Sequence, residues 1–137
     1  MNEARNPSIR FVVLSEDANV LRTIDGQKTF IFNPLILIKK PLPYKQPLTI
    51  SVGFDDVDVS RSNVIRIELN DPSGIQLFST VQVLNEDIEE DSFIQGAFGV
   101  DVEDLVFRKA GKYTVTIFIN DVHLGNQFLN VYDTSEV

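Results

Sequence analysis

The sequence predicts an all-β fold, a single antiparallel β-sandwich of seven to nine strands. Apolar and polar residues alternate with a period of two along most of the 137 residues, and helical periodicity is nearly absent. Turn signals recur about every ten residues, which is the usual spacing of short sandwich strands. The composition, 43% hydrophobic and 9% aromatic, is sufficient for one core. A small closed barrel is the alternative architecture.

The first half of the chain contains three predicted strands. Residues 8–14 form the first strand, and residues 30–38 form an extended segment that Pro34 confines to a sheet edge or a bend. Residues 48–54 alternate apolar with small polar side chains, which predicts a half-buried strand. Short helices are expected only near residues 17–21 and 102–106.

The second half begins with a predicted hairpin over residues 62–84. Its turn is Asp71-Pro72-Ser73-Gly74, in which the aspartate bonds nearby amides, the proline presets φ and the glycine adopts a positive φ. A strand over residues 92–102 follows, and its two glycines predict a bulge.

The closing hairpin turns at Asn120-Asp121, between strands over residues 113–119 and 122–132. A regular two-residue turn would place Val115 opposite a polar asparagine. We therefore expect a bulge at Gly125-Asn126, which brings Leu129 and Val131 inward.

We expect one domain over residues 1–137, with flexible ends at 1–7 and 133–137. The longest apolar runs have four residues, far below the roughly 18 needed to cross a bilayer. The N-terminus lacks the apolar core of a signal peptide, so a cytoplasmic location is expected. The chain has no cysteine, which excludes thiol chemistry.

The net charge is −8, and no basic stripe is present, so neither nucleic acid nor an anionic membrane is an expected partner. Residues 1–45 hold seven bases and four acids, whereas residues 55–104 hold thirteen acids and two bases. This asymmetry suits solvated acidic loops, the steering of a basic partner, or a head-to-tail self-association. The acidic-loop candidates are Asp55, Asp56, Asp58, Glu86, Asp87, Glu89, Glu90 and Asp91.

The sequence predicts no catalytic residue and no cofactor. His123 is the one histidine, and no serine lies in a nucleophile elbow, so we do not expect an enzyme. Carboxylates at 55–58 and 101–104 leave open a calcium ion held by loops at one end of the sandwich, although solvated loops are the simpler interpretation. No metal ligand is therefore assigned.

One apolar segment predicts an interface. Leu35, Ile36, Leu37 and Ile38 are consecutive, so in a half-exposed strand two of them lie on the wrong face. Either the fold covers both faces or this segment contacts another protein or a second copy. Phe118, which is out of phase with the inward residues of its hairpin, is a further interface candidate, and Phe128 is a weaker one.

The segment Gly111-Lys112-Tyr113-Thr114-Val115 resembles the start of a late strand in many immunoglobulin-like sandwiches. In those folds a tyrosine often anchors the corner by bonding the backbone just upstream. The resemblance implies that the Tyr113 hydroxyl reaches Lys109 and that the role of Tyr113 is structural.

The wider order of motifs is similar to that of a family of small, uncharacterised bacterial immunoglobulin-like sandwich proteins, some encoded on mobile elements. The similarity covers about residues 9–132, and its motifs are Glu16-Asp17-Ala18, Asp25-Gly26-Gln27-Lys28, the segment 67–74, the Gly-x-Tyr strand and the closing hairpin. It implies a fold but no activity. The chain departs from the pattern in its acidic stretch 85–91 and in Asn120-Asp121, where Asp-Gly is usual.

We therefore expect a non-enzymatic interaction module in a bacterial or phage setting, with a protein partner or a second copy as its target. The alternative is a small-ligand or carbohydrate-binding sandwich, with calcium at a loop end. Against this alternative, tryptophan is absent and few exposed aromatic residues are suited to stacking sugars.

Overall fold

A computed structural model describes residues 6–22, 28–58, 62–84 and 93–135, and within these ranges the regular structure is entirely β. The all-β prediction is confirmed, and the nine strands of four or more residues match its upper bound. The strands are β1 (Ser8–Arg22), β2 (Lys28–Pro34), β3 (Leu37–Lys40), β4 (Tyr44–Lys45), β5 (Leu48–Asp58), β6 (Asn63–Asn70), β7 (Gln76–Leu84), β8 (Phe93–Val102), β9 (Val106–Phe107), β10 (Gly111–Ile119) and β11 (Val122–Asp133).

The strands form two main sheets, in the orders β2-β1-β5-β8 and β3-β11-β10-β6-β7, together with a small β4-β9 pair. The pairings are antiparallel except that β3 lies parallel to β11. In the five-stranded sheet β7, β6, β10 and β11 occupy the places of strands C′, C, F and G of immunoglobulin-like sandwiches. The architecture is an immunoglobulin-like β-sandwich.

The core lies between the inner faces of the two sheets. From the first sheet come residues such as Ile50 and Val52, and from the second come alternate residues of β6 and β10, all at most 1% exposed. Burying each such side chain stabilises the fold by about 1.5–3 kcal/mol. The inward residues of β6 and β10 are Ile65, Ile67, Leu69, Tyr113, Val115, Ile117 and Ile119.

Strand β5 is buried on both faces, not half-buried as the alternation suggests. Thr49 and Ser51 are buried although they alternate with the inward residues. Gly53 lies directly under the ring of Phe11, and a Cβ at this position would overlap that ring. Small side chains in the middle of a sheet thus allow a neighbouring ring to lie flat across them.

The predicted segment 30–38 is two strands in different sheets. Strand β2 ends at Pro34 on the edge of the first sheet, as the proline rule predicts, and β3 begins at Leu37 on the edge of the second. Between them the Leu35 amide donates to the Leu14 carbonyl over 2.8 Å. The chain therefore crosses between the two sheets at Leu35 and Ile36.

The closing hairpin has the predicted two-residue turn. Asn120 and Asp121 have φ values of 51° and 65°, the left-handed pair of a type I′ turn. The bulge lies one residue earlier than predicted: Gly125 faces Ile117 and His123 faces Phe118, which leaves Leu124 as the extra residue. Its expected consequence is confirmed, because Leu129 and Val131 are buried.

Three further expectations are wrong. Residues 17–21 are strand, because β1 continues to Arg22 in its pairing with β2. Residues 102–106 hold the end of β8, a bend and the start of β9 instead of a helix. The bulge in the β5–β8 pair lies on β5, where Asp55 and Asp56 together stand opposite one residue of β8 and Asp56 has a φ of 56°.

A tyrosine corner holds the start of β10, as the resemblance implies. The Tyr113 hydroxyl donates to the Lys109 carbonyl over 2.8 Å and accepts from the Lys109 amide over 3.3 Å. The same ring packs edge-on against Phe107, with centroids 5.0 Å apart. Tyr113 therefore fixes the connection that precedes β10.

Lys109 links this corner to the turn before β7. Its Nζ lies 3.3 Å from Asp71 Oδ2 and 3.1 Å from Ser73 Oγ. Asp71 Oδ1 accepts from the amides of Ser73 (2.8 Å) and Ile75 (3.0 Å). The turn that begins β7 is thus held both by its own aspartate and by the tyrosine corner.

We predict that Tyr113→Phe lowers the free energy of unfolding by about 1–2 kcal/mol, because the amide and the carbonyl of Lys109 both lose a part-buried hydrogen bond. Chemical denaturation monitored by circular dichroism measures this loss. Tyr132→Phe, at a half-exposed position, is the matched control and should unfold as the wild type does. An unchanged midpoint for Tyr113→Phe would contradict a structural role for its hydroxyl.

The pKa of Asp71 lies below the ordinary value of 3.8. Burial raises this pKa, but the amides of Ile75 and Ser73 and the Lys109 ammonium together lower it by more than burial raises it. A carboxyl with a depressed folded-state pKa stabilises the fold above its unfolded pKa, and this contribution disappears as the pH falls through the folded value.

Asp71→Asn should therefore be less stable than the wild type near neutral pH, and the difference should narrow as the pH falls below about 4. The measurement is the denaturation midpoint across this pH range, with Lys109→Met as a second variant that raises the Asp71 pKa. A difference between wild type and Asp71→Asn that stays constant down to the lowest pH would contradict the assignment.

Candidate interaction surface

On the five-stranded sheet, the side chains that alternate with the core residues point away from the other sheet. We call these residues the outer face. Its members follow from the register of the strands. They are Leu37 and Lys39 on β3, His123, Asn126, Phe128, Asn130 and Tyr132 on β11, Lys112, Thr114, Thr116 and Phe118 on β10, Val64, Arg66 and Glu68 on β6, and Ser79, Val81 and Val83 on β7.

Exposed apolar residues are concentrated on the outer face. Ten large hydrophobic side chains of the described residues are exposed, and six of them belong to it. These six are Leu37, Val64, Val81, Val83, Phe128 and Tyr132. Scattered exposed hydrophobic residues are ordinary, but a concentration on one face is typical of an interaction surface.

Three aromatic rings of the outer face each lie near a cation. The Arg66 guanidinium carbon is 4.2 Å from the centroid of Phe118, Lys112 Nζ is 4.3 Å from that of Phe128, and Lys39 Nζ is 5.8 Å from that of Tyr132. Each exposed cation–π contact contributes about 0.5–1 kcal/mol. The rings and cations hold one another in place as a preformed surface.

Arg66 is further fixed by two carboxylates. Its Nη1 donates to Asp121 Oδ1 over 2.9 Å, and its Nε lies 3.2 Å from Glu68 Oε1. These contacts help to hold the guanidinium over the ring of Phe118, which is half-buried. Phe118, predicted as an interface residue, belongs to the outer face, where it is half-buried and contacts Arg66 and His123.

A second part of the outer face is purely aliphatic. Val64, Val81 and Val83 are 41%, 52% and 54% exposed, and we call them the valine patch. Val64 pairs with Val83 across the β6–β7 ladder, and Val81 pairs with Arg66. Sequence analysis missed this patch, although the alternation in residues 79–83 contains the signal once the inward phase of β6 is known.

The predicted segment 35–38 does not form one surface. Leu35 is half-buried against the core, and Ile38 is 4% exposed and belongs to the core. Ile36 and Leu37 are exposed, at 69% and 42%. The crossing between the two sheets explains this pattern, because side chains that flank it point into the sandwich.

The first predicted acidic loop is part of a strand. Asp55, Asp56 and Asp58 lie in β5, whose end is anchored by the buried Val57. The Asp56 amide bonds Asp55 Oδ1 over 2.9 Å within the bulge. The other acidic-loop candidates, Glu86, Asp87, Glu89, Glu90 and Asp91, lie outside the described residues.

A calcium site that joins residues 55–58 with 101–104 is not formed. Asp101 pairs with Thr49 at one end of the β5–β8 ladder, and Asp58 pairs with Phe93 at the other. Thr49 and Asp55 are six positions apart along β5, a span of about 20 Å. In the described part of the chain, no three His, Cys, Asp or Glu side chains are grouped to hold a metal.

His123 is exposed on the outer face, and its ring centroid lies 5.7 Å from that of Phe118. His123 therefore belongs with the aromatic side chains of the outer face. Among the described residues, no hydrogen bond to a nucleophilic side chain is found for it. Within the described ranges, no helix has the length and apolar character required to traverse a bilayer.

No protein-family model and no curated protein matches the sequence. Among solved structures, the chain is similar to a CARDB domain from Pyrococcus furiosus in complex with di-metal ions, with 9% identity, a TM-score of 0.42, and coverage of 88% of this chain and 92% of that one. An immunoglobulin-like protein from Pseudomonas aeruginosa gives 9% identity, a TM-score of 0.37, and coverage of 93% and 98%.

An alkylpurine DNA glycosylase from Pseudomonas fluorescens, bound to DNA containing an abasic site analogue, gives 11% identity and a TM-score of 0.42. The match covers 88% of this chain but 30% of the glycosylase. At this distance these similarities carry no argument about ligands or activity. The immunoglobulin-like part of the expected resemblance thus has counterparts among solved structures, while the particular bacterial family remains a prediction.

Proposed function

We propose that this protein is a non-enzymatic module that binds another protein through the outer face of its five-stranded sheet. The observation that carries the proposal is the concentration of six exposed apolar side chains on that one face. The outer face is also preformed, because cations and carboxylates fix its rings before any partner arrives. A bacterial or phage setting and a cytoplasmic location belong to the same proposal.

The charge of the outer face favours a partner with carboxylates around an apolar centre. Lys39, Arg66 and Lys112 stand on this face with Glu68, whereas the whole chain carries a net charge of −8. The net negative charge of the chain therefore repels an acidic partner less at the outer face than elsewhere on the molecule. The acidic stretches, which suit a basic partner, remain an alternative surface for the same class of function.

The proposal predicts that Phe128→Glu abolishes binding of the partner. The substitution places a carboxylate in the apolar part of the outer face and removes the ring under Lys112. The measurement is quantitative mass spectrometry of proteins that co-purify with the tagged chain. Val122→Glu is the matched control, since Val122 is 56% exposed at the hairpin turn.

A protein that is enriched with wild type and Val122→Glu but lost with Phe128→Glu supports the proposal. Equal enrichment with all three chains would show that the outer face is not the binding surface. Loss with Val122→Glu alone would move the interface to the hairpin turn, and it would equally overturn the proposal.

A further inference from the structure

Strand β7 lies at an edge of the five-stranded sheet. In the described part of the chain it pairs with β6 on one side and with no strand on the other. An edge strand presents unpaired N–H and C=O groups, which can pair with a further strand. The nine residues of β7 give this edge a length of about 30 Å.

Among the described strands, the four edge strands of the two main sheets differ in how they discourage pairing. Strand β2 carries Lys28 and ends at Pro34, β3 carries Lys39 and Lys40, and β8 contains two glycines and Asp101. Charges and prolines are the usual means by which proteins prevent edge-to-edge pairing, and glycines weaken a strand. The sequence from Ile75 to Leu84 contains no charged residue, no proline and no glycine.

We propose that β7 pairs with β7 of a second copy, antiparallel across a two-fold axis, so that two five-stranded sheets become one ten-stranded sheet. This dimer rests on the proposed function, which makes the protein an interaction module. It names a second copy as one partner, bound at the edge of the same five-stranded sheet. Such an interface is isologous, so each copy presents the same strand to the other.

Charge distinguishes β7 from the other edges as a contact for a second copy. Two chains of net charge −8 repel each other over most of their surfaces. Strand β7 brings no charge to the two-fold contact, whereas self-pairing of β3 would bring its two lysines together with those of the second copy. The electrostatic repulsion between two copies of this acidic chain is therefore smallest when they meet at the uncharged strand β7.

The valine patch gives the pairing an apolar component. Val81 and Val83 are about half exposed on β7, with Val64 beside them on β6. In the ten-stranded sheet the patches of the two copies meet across the axis and form one apolar strip. Cross-strand aliphatic pairs of this kind contribute about 0.2–1 kcal/mol each, in addition to the new backbone hydrogen bonds.

The turn before β7 keeps the strand in place for pairing. The Lys109 contacts with Asp71 and Ser73 fix the start of the strand from the tyrosine corner. The edge is thus ordered before a second copy arrives, which lowers the entropic cost of association. Residues at the far end of the outer face, such as Phe128, remain accessible in the dimer.

The test is sedimentation equilibrium of the purified chain over a wide concentration range, at low and high salt. We expect a species of twice the 15.5 kDa mass that persists at high salt, because the contact contains no ion pair. Val81→Lys should raise the dimer dissociation constant by about tenfold or more. Val83→Lys, at the neighbouring outward position, should have the same effect if Val81→Lys does not fold.

Two controls locate the contact. Val122→Lys, at a similarly exposed valine at the start of β11, should dimerise as the wild type does. Leu37→Lys, at the opposite end of the outer face, should also dimerise, because edge pairing does not use β3. Loss of the dimer with Leu37→Lys would mean that the copies stack by their faces, which overturns the proposal.

A monomer at every concentration, a dimer that dissociates in salt, or a dimer insensitive to both β7 substitutions would each overturn the proposal. These failures are separate from failure of the proposed function. A monomeric chain that still loses its co-purifying partner in Phe128→Glu retains the outer face as a binding surface and has no β7 pairing.

Discussion

The position of β10 in the middle of the five-stranded sheet is the constraint on which the rest of the structure depends. Four of its side chains are at most 1% exposed, and β6 and β11 pair along its two sides. Its first buried residue, Tyr113, bonds the backbone of Lys109, and the Lys109 side chain bonds the turn before β7. One buried strand therefore fixes the sheet, its corner and the start of its outermost strand.

This arrangement leaves two free features on the same side of the molecule. The inner face of this sheet is used by the core, so within the five-stranded sheet its outer face and its β7 edge are available for contacts with other molecules. Cations lie over the rings of β10 and β11, whereas the aliphatic side chains of Val81 and Val83 stand on an uncharged strand. The net charge of the chain is a sum over the whole molecule, so it does not reveal a local surface that is apolar or carries cations.

Sequence periodicity predicted the fold because most strands of a two-sheet sandwich bury one face and expose the other. The Asp71 turn, the Asn120-Asp121 turn and the tyrosine corner were each predictable, since local chemistry determines them. The burial of the individual residues 35–38 was not predictable, because Ile38 is buried only once the chain has crossed to the other sheet. The valine patch was not predictable either, since which strand lies at a sheet edge is a property of the topology and not of the strand's own sequence.

Hydrogen–deuterium exchange at low and high protein concentration tests most directly whether the β7 side of the sheet is where this molecule makes its contacts. If β7 pairs with a second copy, amides of residues 76–84 exchange more slowly as concentration rises, while those of the lysine-bearing edge β3 keep their rates. Unchanged rates in β7, or new protection confined to β3 or β8, would mean that this edge makes no such contact.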